Sequence, residues 1–320
     1  FGRYRLRIAA LDSAGDAVAE VERSFSREKP PWWENELGIS SRVMPGWDPV
    51  EAEGNAVRVS RRLITFGPDG LPRQVVSAGA PILADAPRIS ATVGGTEQEW
   101  QFDGEEPAIK TEGETRATVR GRAGSDELTL TTEAVVEFDG MMWFRLKIGP
   151  RRDEPVEVDQ FTIELPYREE AAELIHWWSG ARGFRDPKTV HIGAVPPDEG
   201  TVFRSNDGRR VRHPEQLAGN VIPYLMLTGD RRGMAWFAEN DRGWTRTERM
   251  PAVGVRREAG RVVLQLNIIS ETIDLDGSRA IEFGLHPIPF RQRLPHWRRT
   301  DDWGVIPDTF ADSNLKGEKG

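Results

Sequence analysis

This sequence predicts an all-β protein whose main body is a large antiparallel β-sandwich. Three observations lead there. Apolar residues alternate with polar ones at a period of two, and no long stripe at helical spacing competes with that pattern. Turn-forming Asp-Gly pairs separate the alternating runs. The 320 residues also hold 32 Gly and 22 Pro, a density of turn residues suited to many short strands.

The elements follow in chain order. Tyr4-Arg5-Leu6-Arg7-Ile8 alternates apolar with basic, and residues 1–26 read as two antiparallel strands joined at Ser13-Ala14-Gly15-Asp16. Two strands cannot enclose a core, so this stretch is expected to be the C-terminal strands of a truncated immunoglobulin-like domain. Residues 27–36 read as a linker, because Pro30 and Pro31 stiffen the chain and block strand pairing. Residues 37–289 form the large, supersandwich-like domain. Its strands include Val57-Arg58-Val59-Ser60, Leu128-Thr129-Leu130-Thr131 and Val262 to Ile268. Turns are expected at Asp69-Gly70, Asp139-Gly140, Asn206-Asp207-Gly208 and Asp276-Gly277. The clearest hairpin is Ala134–Phe138, Asp139-Gly140, Met141–Ile148. Short helices are expected around Arg168–Leu174 and Pro214–Leu217. Residues 290–320 change character, with Arg291, Arg293, Arg298 and Arg299 around Trp297 and Trp303, and read as a linker towards a further domain.

Composition narrows the chemistry. Lys and Arg number 43 and Asp and Glu 51, a formal charge of −8. A general nucleic-acid or anionic-membrane binder carries the opposite balance. No apolar run approaches the roughly 20 residues that span a bilayer. With no cysteine, thiolate metal sites, disulfides and a cysteine nucleophile are excluded. The five histidines (His176, His191, His213, His286 and His296) stand at no metal-ligand spacing. No G-x-S-x-G elbow and no P-loop are present. Neither a metal nor a cofactor is expected.

Tryptophan is the unusual residue, with 11 copies against 3 Tyr. Its flat apolar face packs cores and also stacks on the C–H face of a pyranose ring. Two clusters stand out. In His176-Trp177-Trp178-Ser179-Gly180, adjacent tryptophans on a strand must face opposite ways, so only one joins a given core face. In Trp236-Phe237-Ala238-Glu239-Asn240-Asp241-Arg242-Gly243-Trp244, two carboxylates and an amide lie between tryptophans. That palette suits hydroxyl pairs and sugar rings, and paired carboxylates also serve glycosidases as acid and base. A polar turn and ordinary core packing account for the same residues. Trp236, Glu239, Asp241 and Trp244, then Trp177 and Trp178, are the candidates for a carbohydrate or domain-seam contact.

Several ordered segments resemble a known family. These are Pro31-Trp32-Trp33-Glu34-Asn35-Glu36-Leu37-Gly38-Ile39-Ser40 with Val43 to Val50, the hairpin Thr65 to Gln74, and Gly233 to Trp244. Together they resemble the N-terminal β-sandwich region of glycoside hydrolase family 123 and its uncharacterised relatives. The resemblance implies a β-sandwich that precedes a (β/α) barrel, in which an Asp-Glu pair and the substrate's own acetamido group act on N-acetylgalactosaminides. The eight strand-helix units of a barrel are not in this sequence, so no catalytic residue is carried over. The chain is therefore expected to be the non-catalytic sandwich of a multidomain, bacterial carbohydrate-active protein. Its partners would be a glycan or the barrel of the same polypeptide. The resemblance also implies export to the periplasm or the exterior. Two alternatives stay open: a stand-alone carbohydrate-binding module, and a β-sandwich catalyst of mutarotase or lyase type.

Overall fold

The computed structural model describes residues 1–36, 40–44, 46–178, 190–207, 220–245 and 247–289. Contacts divide the chain into two units, Phe1–Ser41 and Arg42–Gly320. The sequence reading set the corresponding boundary at residue 37.

In the first unit β1 (Gly2–Leu11) pairs antiparallel with β2 (Ala17–Arg27) around the expected turn. Tyr4 stacks on Phe25 at 5.4 Å, and Arg7 pairs with Glu20 at 2.5 Å. Cross-strand pairs of this kind are what hold two strands in register. As a lone pair, the two strands enclose no core of their own.

The second unit begins with a five-stranded antiparallel sheet: β3 (Glu51–Glu53), β4 (Ala56–Val59), β5 (Arg62–Phe66), β6 (Pro72–Ser77) and β7 (Ala80–Pro81). The Asp69-Gly70 turn joins β5 to β6, with Gly70 at φ +78°. Asp69 is buried there and accepts from the Leu71 amide at 3.1 Å and from Arg73 at 3.1 Å.

Next come β8 (Arg88–Val93), β9 (Thr96–Glu97), β10 (Gln101–Phe102), β11 (Ala108–Glu112), β12 (Arg116–Gly124), β13 (Leu128–Glu137), β14 (Met142–Pro150) and β15 (Val156–Arg168). A single 3-10 turn, Glu169–Ala171, follows. It replaces the helix expected over Arg168–Leu174, because Leu174 already opens the next strand. The other expected helix, Pro214–Leu217, lies outside the described residues. The remaining strands are β16 (Leu174–Trp178), β17 (Val190–Ala194), β18 (Gly200–Arg204), β19 (Tyr224–Thr228), β20 (Gly233–Phe237), β21 (Val253–Glu258), β22 (Arg261–Ile269), β23 (Ile273–Leu275) and β24 (Arg279–Ile288).

They assemble into two long antiparallel sheets. One runs β10-β12-β13-β14-β24-β20-β19-β16-β17, with β11 also on β12; the other runs β18-β21-β22-β15-β8-β9, with β23 on β15. The sheets bury their facing sides in one core, which includes Phe144, Phe283 and Trp236 from the first and Phe161, Leu264 and Phe203 from the second. Trp177 of β16 meets Phe203 of β18 at 5.3 Å across that core. The fold is thus the all-β sandwich that the alternation predicts.

Alternation is visible strand by strand. In β13, Leu128, Leu130, Ala134 and Val136 are buried while Thr129 is exposed and Thr131, Glu133 and Val135 are half-buried. In β14, Met142, Phe144, Leu146 and Ile148 point inward, and Trp143, Arg145 and Lys147 point outward. The Asp139-Gly140 hairpin joins them as expected, with Gly140 at φ +86°. A Cβ there would lie 2.6 Å from the Arg62 side chain, so only glycine fits that turn.

Candidate functional site

Strand parity sorts the six residues singled out in the sequence. Trp177 lies on the inner side of β16 and Trp236 on the inner side of β20, with Leu225 of β19 between them in register. Both rings are buried. Trp244 is buried too and meets Trp236 edge-on at 6.1 Å. These three rings pack the sandwich and turn no face outward. Asp241 is buried in the turn after β20, where its carbonyl accepts from the Trp244 amide at 3.1 Å. Glu239 is exposed. In the same turn the Asn240 side chain accepts from the Arg242 amide at 3.0 Å. Trp178 is half-buried on the outward side of β16, opposite Tyr224. The adjacent tryptophans therefore face opposite ways, as strand geometry requires. The structure brings Trp236 and Trp244 together and keeps them apart from Glu239 in exposure.

The outward side of the same sheet carries a feature that the sequence reading missed. Trp143 on β14 is opposite Gly284 on β24, Gly284 opposite Phe237 on β20, Phe237 opposite Tyr224 on β19, and Tyr224 opposite Trp178 on β16. One cross-strand row thus spans five strands, with four aromatic residues and one glycine. Phe237 lies over Gly284, where a Cβ would come within 2.1 Å of the ring. Trp143 and Phe237 meet at 5.9 Å across that gap. His176, two residues before Trp178, packs edge-on against Tyr224 at 5.4 Å.

One pleat further along lies a charged row. Arg120, Glu133, Arg145 and Glu282 stand opposite one another on β12, β13, β14 and β24. Arg120 pairs with Glu133 at 2.7 Å and Arg145 with Glu282 at 2.6 Å. The Glu282 hydrogen bond raises the Arg145 guanidinium above its ordinary value. Exposed pairs contribute little stability, because water competes for both partners; what they do is fix the positions of donors and acceptors. A further pleat on, Arg122, Thr131 and Lys147 form the next row. Arg120, Glu133, Arg145, Arg122, Thr131 and Lys147 of these rows line a cleft of about 580 Å³ together with Asp103 and Glu106.

One pleat from the aromatic row, on the side away from the charged row, His286 projects outward from β24 near the β13–β14 hairpin, with its Nε2 3.7 Å from Asp139 Oδ2. Burial lowers the His286 pKa; Asp139 partly offsets this and Arg62 adds to it. Burial lowers Arg62 to about 10, so it stays cationic at neutral pH. Arg62 donates to the Ser60 and Pro287 carbonyls at 3.3 Å each and also to Pro289, which ties β5 to the end of β24. Glu137 is raised by burial and by Asp139. Among the described residues no group of three or more His, Asp or Glu is placed to hold a metal ion.

Parity alone places these aromatics on the outward side of their strands. Trp143 falls between the inward Met142 and Phe144, and Phe237 follows the inward Trp236. What the sequence does not supply is the register that aligns them across five strands.

Part of this geometry, the residues on β12 to β16, lies in a stretch with a family match. Residues 50–193 match the family model "Glycoside hydrolase 123, third domain". The matched stretch covers β3 to β17 apart from its last residue, and includes the Thr65–Gln74 hairpin that carries part of the family resemblance. Gly233–Trp244 lies beyond it. No curated protein matches the chain. Solved structures align at low identity. A putative aldose 1-epimerase from Escherichia coli K12 is 10% identical over 75% of this chain and 98% of that chain, with a TM-score of 0.39. The Slr1438 protein from Synechocystis sp. PCC 6803 is 11% identical over 78% and 98%, with a TM-score of 0.40. The GH36 alpha-galactosidase AgaA from Geobacillus stearothermophilus is 11% identical over 74% of this chain and 40% of that chain, with a TM-score of 0.41. Likeness of this degree says nothing about chemistry. No described helix is long and apolar enough to cross a membrane.

Proposed function

We propose that this chain is the non-catalytic β-sandwich portion of a glycoside hydrolase-like protein, supporting a catalytic (β/α) barrel of the same polypeptide and contacting its glycan. The observation that carries the reading is the glycoside hydrolase 123 match over residues 50–193. The described residues of the second unit support it further, because they bury one large sandwich core that suits a scaffold. Of the residues singled out in the sequence, exposed Glu239 and half-buried Trp178 are those this reading offers to a glycan or a domain seam. Export of the parent protein belongs to the same proposal.

The test is turnover by the 320-residue chain on chromogenic N-acetylgalactosaminides and other aryl glycosides. No hydrolysis is expected. Hydrolysis by this chain alone would overturn the non-catalytic reading.

A second reading has one observation in its favour. His286 lies beside Asp139, with Glu137 in the same group, on the outward face of the sheet. A sugar-transforming β-sandwich needs such a group. Interconversion of aldose anomers by the chain, abolished in His286→Gln, would establish that reading.

A further inference from the structure

We infer that the outward face of the long sheet, from β12 to β19, is a binding surface for a neutral oligosaccharide. The inference rests on the carbohydrate reading above and deepens it by naming the surface and the class of ligand.

The first support is the aromatic row. Trp143, Phe237 and Tyr224 are half-buried on the side of the sheet turned away from the core. Strand alternation normally puts polar residues there. Three aromatic positions in one register row, with Gly284 between Trp143 and Phe237 letting Phe237 lie flat against the backbone, form a low apolar platform. Rings on such a platform present faces that match the C–H faces of pyranoses.

The second support is the adjoining cleft. On its floor Arg120, Glu133 and Arg145 alternate in register, and Glu282, outside the lining, pairs with Arg145. A vicinal diol donates to a carboxylate and accepts from a guanidinium at once, so an alternating row of fixed pairs matches a sugar edge. Arg122 and Lys147 add two more cations, and Asp103 and Glu106 add two carboxylates. With Glu282 counted as the partner of Arg145, the four cations of the lining meet four carboxylates. A phosphate, a sulfate or a polyanionic chain would gain nothing from the cations that it did not lose to the carboxylates. The balance selects an uncharged, hydroxyl-rich ligand.

The third support is continuity. Trp143 and Arg145 are two residues apart on the same side of β14, so platform and cleft are one surface. From β12 to β19 that surface spans about 24 Å, at about 4.8 Å per strand. An extended chain of several sugar rings fits that length.

The experiment presents the 320-residue chain to a printed array of neutral, sulfated and uronate-bearing oligosaccharides. Whichever oligosaccharide is retained is then titrated by calorimetry against the wild type, Trp143→Ala, Trp143→Phe and Arg122→Ala. Retention of neutral oligosaccharides is expected. Trp143→Ala should weaken binding by about tenfold, the effect of one lost ring contact, and Trp143→Phe should restore part of it. Arg122 is exposed and enters no ion pair among the described residues, so Arg122→Ala tests the cleft with the melting temperature unchanged. Neutral binding that survives both Trp143→Ala and Arg122→Ala would place the glycan elsewhere. That outcome overturns this inference and leaves the proposed function intact. Retention of acidic glycans alone overturns the charge-balance argument. Retention of none overturns both the inference and the glycan contact in the proposed function, while the turnover assay still judges the non-catalytic reading.

Discussion

Trp143 and Phe237 meet at 5.9 Å although their strands are not neighbours. The strand between them contributes Gly284 at the meeting point, and the missing side chain is what lets the rings approach. Gly284→Val would push branched carbons into the Phe237 ring, since even a Cβ would come within 2.1 Å. We expect a loss of about 1–3 kcal/mol in denaturant unfolding, the usual cost of overpacking. Oligosaccharide affinity should fall with it, because the platform is broken.

Trp236 behaves oppositely. It is fully buried between Leu225 and Leu285 in register, and its indole N–H has no hydrogen-bond partner among the described residues. Trp236→Ala should cost about 3–5 kcal/mol, as large-to-small core changes do. At a temperature where the variant is folded, oligosaccharide affinity should match the wild type. A loss of affinity without a loss of stability would return Trp236 to the list of glycan contacts.

Asn220 is the polar counterpart. It is buried, donates to the Thr247 and Met250 carbonyls at 2.7 Å each, and accepts from Ser205 at 2.8 Å and from the Ala252 amide at 2.5 Å. Those bonds tie the segments flanking β18 and β21. Asn220→Leu keeps the size and leaves these groups without their partner, which should cost at least about 3 kcal/mol. Chemical denaturation measures it.

His286 gives a pH dependence of definite sign. Its folded pKa is lowered below 6.5, chiefly by burial, so the unfolded chain takes up a proton first as pH falls. Stability due to this group is therefore full above the unfolded value and declines as pH drops through it. Asp69 and Glu137 work the other way, because burial raises both, and acid relieves that cost at lower pH. Melting temperatures of the wild type and His286→Gln should diverge between about pH 7.5 and 5.5, with the variant losing less.

Much of the fold was legible because its strands bury one face. The run Met142–Ile148 announces its own inner and outer sides, and Asp139-Gly140 announces the hairpin. The first hairpin was legible for the same reason. The helix expected at Arg168–Leu174 was not realised beyond a 3-10 turn, because polar Glu169 and Glu170 before an apolar run read equally as a strand end. The site was less legible. Attention to tryptophan led to Trp236 and Trp177, and a ring of that size is as often core as contact. The outward row depends on which residue of β14 faces which residue of β24, β20 and β19. That is a property of pairing between segments up to 141 residues apart (Trp143 to Gly284), and no local pattern encodes it.

The most direct test of the account is a binding screen of the unmodified 320-residue chain against neutral oligosaccharides, with released sugar assayed in the same samples. The account predicts retention of at least one neutral oligosaccharide and no release of sugar. Release of sugar, or no retention of any neutral oligosaccharide, would contradict it.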